Sequence, residues 1–165
     1  MPTEDYYNLI ADGYDELHKE EQEKKLEIIK KELEIKPETK LLDVGCGTGI
    51  SSNFKCDVTG IDPSEELLKI ACEKFPKSQF MKCNAESIPF ADKSFDVVIS
   101  LTSIQNFTDI EKGLSEIKRV GTNQFALSFL KKSEKTEKIE KLIKTNFPNA
   151  KRIDEEKDII FINKQ

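Results

Sequence analysis

The chain has 165 residues, 37% hydrophobic and 35% charged, enough for one well-packed domain under a heavily charged surface. Its 26 Lys and Arg against 31 Asp and Glu give a net charge of −5, which argues against strong autonomous nucleic-acid binding. The apolar runs are too short for a transmembrane helix and the acidic start, Met-Pro-Thr-Glu-Asp, has no signal-peptide pattern, so no membrane association and a cytoplasmic location are expected.

The whole of 1–165 is expected to form a single domain, with 1–37 a helical segment covering the site described below. Within it, Tyr6, Tyr7, Ile10, Tyr14 and Leu17 fall on one helical face. Packing accounts for Tyr6 and Tyr7, whereas Tyr14 is also a candidate to line a ligand site. His18, the single histidine, has no carboxylate partner in the sequence pattern and is assigned to the surface or a cap. Residues 19–35 predict a second helix, with Leu26, Ile29 and Leu33 on one face and Pro37 ending it.

Lys40-Leu-Leu-Asp-Val44 reads as a buried strand, followed at once by Gly45-Cys-Gly-Thr-Gly49 and a very short helix near 49–54. Asp57–Asp62 predicts the second strand. Ser64 is the N-cap of an amphipathic run to Phe75. Ser78–Cys83 predicts a third, shorter strand, and 87–94 a loop. Phe95–Ser100 is a strongly apolar fourth strand. A helix at about 108–120 is expected to end on Gly121 as its C-cap. Gln124–Leu130 predicts strand five, 134–147 a Lys/Glu-rich helix, and Ala150–Ile153 with Asp158–Ile162 an antiparallel hairpin. Strands alternating with helices and closing in a hairpin predict a doubly wound, mostly parallel α/β sheet with helices on both faces. The lysines between Lys131 and Lys144 are interleaved with Glu134, Glu137 and Glu140, which predicts a solvated helix face rather than a basic binding surface.

The chemistry gathers at strand ends. Asp43 puts a carboxylate at the end of strand one, the rim where open α/β sheets bind ligands. Asp62 ends strand two, 17 residues after Gly45, beside the glycine turn in a right-handed βαβ unit. A carboxylate there can accept hydrogen bonds from both hydroxyls of a ribose. Asn84-Ala85 follows strand three and can read an adenine edge. Ser100 ends strand four. Cys46, Cys56, Cys72 and Cys83 have no metal-ligand spacing and are expected to be reduced and largely structural, so no metal is expected.

Leu41-Leu-Asp-Val-Gly-Cys-Gly-Thr-Gly49, Gly60-Ile-Asp-Pro-Ser64, Asn84-Ala-Glu-Ser-Ile-Pro-Phe90 and Phe95-Asp-Val-Val-Ile-Ser100 together resemble the four motifs of class I (Rossmann-like) S-adenosylmethionine (SAM)-dependent methyltransferases, over roughly residues 38–163. The resemblance implies a seven-stranded sheet whose last strand is antiparallel and inserted beside strand five. It implies SAM as cofactor, S-adenosylhomocysteine as product and methyl transfer by in-line displacement. Carried over by position, it implies that Gly45, Cys46, Gly47 and Gly49 wrap the methionine portion with Asp43 near its amino group. Asp62, with Pro63 beside it, would hold the ribose. Asn84 and Ala85 would contact adenine, and Ser100 would lie against the methionine end. Many relatives have Asp at the position of Asn84, and the helix after the glycine turn is short here. Gln105 and Asn106, in the segment after strand four, are candidates to face the substrate.

The acceptor favoured by the acidic balance is a small molecule, with RNA or protein as acceptors that need a partner's help. Strand three is expected at the sheet edge, where a protein activator could pair with it. A SAM-binding subunit without activity of its own is the alternative reading. An NAD-binding Rossmann domain is the second, and the spacing disfavours it because the third glycine, Gly49, comes one residue early for G-x-G-x-x-G.

Overall fold

A computed structural model describes residues 19–164, beginning with a helix, α1, over 19–32. It is followed by strands β1 (Lys40–Val44) and β2 (Asp57–Asp62), helix α2 (Glu65–Lys74), and strands β3 (Gln79–Lys82) and β4 (Phe95–Ser100). Helix α3 (Ile110–Val120), strand β5 (Gly121–Leu130), helix α4 (Thr136–Asn146), and strands β6 (Lys151–Asp154) and β7 (Asp158–Lys164) complete the described chain. The strands form one sheet in the order β3-β2-β1-β4-β5-β7-β6. Pairings are parallel from β3 across to β5, and β7 runs antiparallel between β5 and β6. This is the expected sheet, with β1 central and β3 on one edge.

Alternation along the strands sends successive side chains to opposite faces. On one face Leu42, Val44, Val98, Phe125, Leu127 and Phe161 pack against Ile110, Leu114 and Ile117 of α3 and Ile139 and Ile143 of α4. On the other, Leu41, Val58, Val97, Ile99 and Ile160 pack against Leu26, Ile29 and Leu33. The i, i+4, i+7 spacing in α3 fills one stripe, and each fully buried Leu or Ile contributes about 1.5–3 kcal/mol. The N-cap at Ser64 forms as the sequence predicts, accepting from the Leu67 N–H, and Asp109 caps α3 by accepting from the Lys112 N–H.

Several boundaries move. The helix predicted to 35 ends at 32, and the short helix after the glycine turn is a single 3-10 turn, Ile50–Ser52. The connection from β3 to β4 carries no helix, so the strand–helix alternation is interrupted there. Gly121 is not a left-handed C-cap: its φ of −95° and ψ of 162° are extended, and it starts β5 three residues before the predicted strand. Its lack of a side chain has a different cause, since a Cβ there would lie 2.5 Å from the Phe125 ring. On α4, Glu140 pairs with Lys144 at 2.8 Å and with Arg152 at 3.2 Å, so acid and base interleave as the sequence suggests. The tyrosine stripe, including Tyr14, and His18 lie outside the described residues.

Candidate functional site

The register carries the ends of four strands to one rim. Val44 is level with Ile61, Asp43 with Ile99, and Asp62 with Lys82. Past these ends lies an open cleft. Gly45 and Gly47 form one wall, Asp62, Pro63 and Leu67 a second, and Asn84, Ala85 and Glu86 a third. Thr102, Ser103, Asn106, Phe107 and Thr108 close it.

The glycine turn is built by backbone hydrogen bonds. The N–H groups of Gly45 and Cys46 both donate to the Ile61 carbonyl, at 2.8 and 3.0 Å, which folds the turn over the end of β2. Gly45 has φ +77°, and a Cβ on it would lie 2.5 Å from both Cβ and Oγ of Ser103. Only a bare backbone fits, and it faces the cleft. The Ser103 hydroxyl donates to the Gly45 carbonyl at 2.9 Å. Asp62 is oriented from two sides: the Gly47 N–H donates to Oδ2 and the Ser64 N–H to Oδ1, each at 2.9 Å. A carboxylate has about four acceptor positions, and these two bonds fix its direction on the rim.

Other predicted residues stand behind the cleft rather than on its surface. Asp43 is fully buried, and its Oδ2 accepts from the Ser51 and Ser52 hydroxyls at 2.5 and 2.7 Å, fastening the 3-10 turn to β1. Among the described residues its Oδ1 has no hydrogen-bond partner. Burial pushes this carboxyl up to about 6; the serine hydroxyls pull the other way, and the nearby Asp62 charge adds to the rise. Gly49, at φ +89°, is packed on Ala71 and Phe75 of α2. The Ser100 hydroxyl donates to the Val44 carbonyl at 2.8 Å, tying β4 to the end of β1. Cys46 is buried, and desolvation followed by the charges of Asp43 and Asp62 drives its thiol well above the ordinary value, which leaves it protonated and unreactive at neutral pH. All four cysteines are free thiols. Gln105 turns away from the cleft and donates to the Thr102 carbonyl at 3.0 Å, while Asn106 lines the cleft.

The cleft also holds residues that the sequence did not single out. Glu86 lines it and accepts from the Asp109 N–H at 2.9 Å, so the loop after β3 is tied to the start of α3. Thr102, Ser103 and Thr108 line the same space. Glu86 falls inside the third motif with no role assigned to it there, and no local pattern marks the other three, because chain segments far apart in sequence bring them together. Among the described residues no group of three His, Cys, Asp or Glu side chains could hold a metal, and no helix is long and apolar enough to cross a membrane.

The donor set suits a nucleoside carrying an amino-acid tail. Bare backbone at Gly45 and Gly47 allows close approach, an oriented carboxylate at Asp62 suits vicinal hydroxyls, and Asn84 and Ala85 offer polar edges beside apolar Leu67.

The model of a methyltransferase domain matches residues 42–124. The chain is 40% identical over 125 residues to demethylmenaquinone methyltransferase of Chlorobaculum tepidum, covering 72% of this chain and 50% of that protein. The chain thus spans about half the length of the curated relatives it matches. A SAM-dependent methyltransferase of Aquifex aeolicus superposes with a TM-score of 0.68 at 21% identity, covering 84% of this chain and 88% of that one. A chain from the complex of the Haloferax volcanii Trm112 methyltransferase activator gives a TM-score of 0.78 at 13% identity, covering 96% of each. At those identities the structural matches speak for the fold alone. Domain model and sheet order agree, and the chain belongs to the class I, Rossmann-like SAM-dependent methyltransferase family.

Proposed function

We propose that this chain binds SAM in the rim cleft and transfers its methyl group to a small-molecule acceptor. The observation that carries the reading is the convergence of Gly45, Gly47, Asp62, Asn84 and Ala85 on one cleft, since each alone has an ordinary structural use. Asp62 would accept from the ribose hydroxyls with Pro63 beside it. Gly45 and Gly47 would lie along the methionine portion, and Asn84 and Ala85 would meet adenine. Asp43, Cys46, Gly49 and Ser100 would act from behind, by holding the turn and strand ends in place.

When bound, SAM supplies a methyl group already activated on a sulfonium. The chain's own task is then orientation and exclusion of water. Asn106, Ser103 and Thr108 would align the acceptor by hydrogen bonds, and Phe107 would shield the reacting region. Glu86 is the second carboxylate lining the cleft beside Asp62, and it would take a proton from an acceptor that must lose one. The small-molecule preference is supported by the acidic total charge and a relative named for acting on demethylmenaquinone.

A second reading is favoured by one feature: Met81, 41% exposed, is the exposed large hydrophobic residue of the described chain, and it lies on the edge strand β3. A protein activator adding a strand there would cover it and direct the chain toward a macromolecule. Methyl-labelled SAM, incubated with the chain and fractionated cell extract, tests both. The first reading expects label in small molecules, insensitive to nuclease and protease. Label entering RNA or protein, and only when a co-purified partner is added, would favour the second. No transfer to any fraction would contradict the proposed activity.

A further inference from the structure

Thr102 is β-branched, yet its φ is +55°, a left-handed conformation that such residues rarely adopt. Every polar group it possesses is engaged. Its N–H donates to the Ser128 carbonyl and hydroxyl at 3.1 and 2.9 Å, and its carbonyl accepts from Gln105 at 3.0 Å. Its hydroxyl donates to Asp158 Oδ2 at 2.7 Å and accepts from Lys25 Nζ. Lys25 and Asp158 are an ion pair of 3.1 Å whose side chains are only 7% and 5% exposed. A backbone of this kind persists where its surroundings over-determine it. Here α1, β5 and β7 each supply a part, although neither Lys25 nor Asp158 lines the cleft. Thr102 and the next residue do line it, and Ser103 is the side chain that seats on Gly45.

We propose that Lys25 and Asp158 are positioning residues: through the Thr102 hydroxyl they hold the turn after β4 against Gly45, so that α1 sets ligand affinity from outside the cleft. The inference rests on the reading of that cleft as the SAM site. A pair that merely stabilised the fold would lower the melting temperature of its variants and leave their affinity unchanged. A positioning pair changes the cleft, and the conformation at residue 102 is the route.

Substitutions at Thr102 and at the pair separate the roles. Thr102→Ser keeps the hydroxyl that joins the pair. Thr102→Val keeps the branched shape and has nothing to hold it there. Lys25→Met with Asp158→Leu removes the pair without leaving a lone buried charge. In the ligand-free protein, amide exchange at Asn106 and Phe107 reports the 3-10 turn that follows Thr102, with β1 amides as the reference for global opening. Protection should be kept in wild type and Thr102→Ser and lost about tenfold or more in Thr102→Val and the double variant. SAM affinity by calorimetry should follow the same division: about tenfold weaker or more in the latter two, and within about threefold in Thr102→Ser. Equal exchange and equal affinity for Val and Ser at position 102, or a double variant matching wild type in both, would overturn the proposal. If wild type itself bound no SAM, the cofactor reading would fall, and the exchange rates would still decide the latch.

Discussion

One added methyl group at Gly45 would strike the Ser103 side chain at 2.5 Å, on a backbone already at φ +77°. Gly45→Ala is therefore expected to cost about 1–3 kcal/mol in urea unfolding and to weaken SAM binding about tenfold or more. A variant with wild-type affinity would mean that the turn and Ser103 can part without consequence. Asp43 makes a second prediction, about pH. Its carboxyl is held at about 6 in the fold against an ordinary 3.8, because burial disfavours the charged form. The folded state thus binds this proton more tightly than the unfolded chain. Its contribution is fully present below about pH 3.8 and is lost as pH rises through about 6, about 3 kcal/mol in all. Asp43→Asn, which cannot titrate, should therefore show a smaller fall in unfolding free energy between about pH 4 and pH 7 than wild type. Parallel pH profiles would show that Asp43 ionises as an ordinary solvated carboxylate does.

Helix α3 holds the loop that follows the Asn84–Glu86 wall of the cleft. Arg119 donates to the carbonyls of Ile88 and Phe90 at 2.9 and 2.8 Å, and to Asp92 and Glu116 at 2.9 Å. Glu116 in turn accepts from the Ile88 N–H at 3.0 Å. Arg119→Ala should destabilise the protein by about 2 kcal/mol and speed exchange of the Ile88 and Phe90 amides. Arg119→Lys should rescue only part of it, since an ammonium cannot span the same fork of acceptors. Unchanged exchange would show that the loop holds itself. The strands were legible because buried apolar runs such as Phe95–Ser100 and the glycine-punctuated end of β1 are local signals, and so was the cap at Ser64. Arg119, Thr102 and Lys25 were not. Their long-range partners lie 26 to 133 residues away, and no period or spacing encodes a contact made by tertiary folding. The failed C-cap at Gly121 has a related origin: the Phe125 ring of the same strand and Val98 of β4 crowd its Cβ position at 2.5 and 2.8 Å, a reason invisible to helix-end rules.

At the scale of the molecule, two faces of one sheet are filled by different helices, and the β1 to β4 crossovers bring four strand ends to one rim. That topology is why residues as far apart as Gly45 and Thr108 share a cleft, and why its glycine and Asp62 walls could be read from motif order while only Asn106 was singled out on the closing side, from Thr102 to Thr108. The two sheet edges also differ. At β6, Lys151, Arg152 and Asp154 are tied into ion pairs with Glu32, Glu140 and Lys131, whereas β3 exposes Met81. The central claim is that the rim cleft is a SAM site in which Asp62 holds the ribose. Calorimetric titration of the purified chain with SAM, S-adenosylhomocysteine and NAD, repeated on Asp62→Ala, measures it directly. The account predicts binding of the first two and not of NAD, with affinity for SAM falling about tenfold or more in the variant. No binding of SAM by the wild-type chain, or equal affinity in Asp62→Ala, would contradict it.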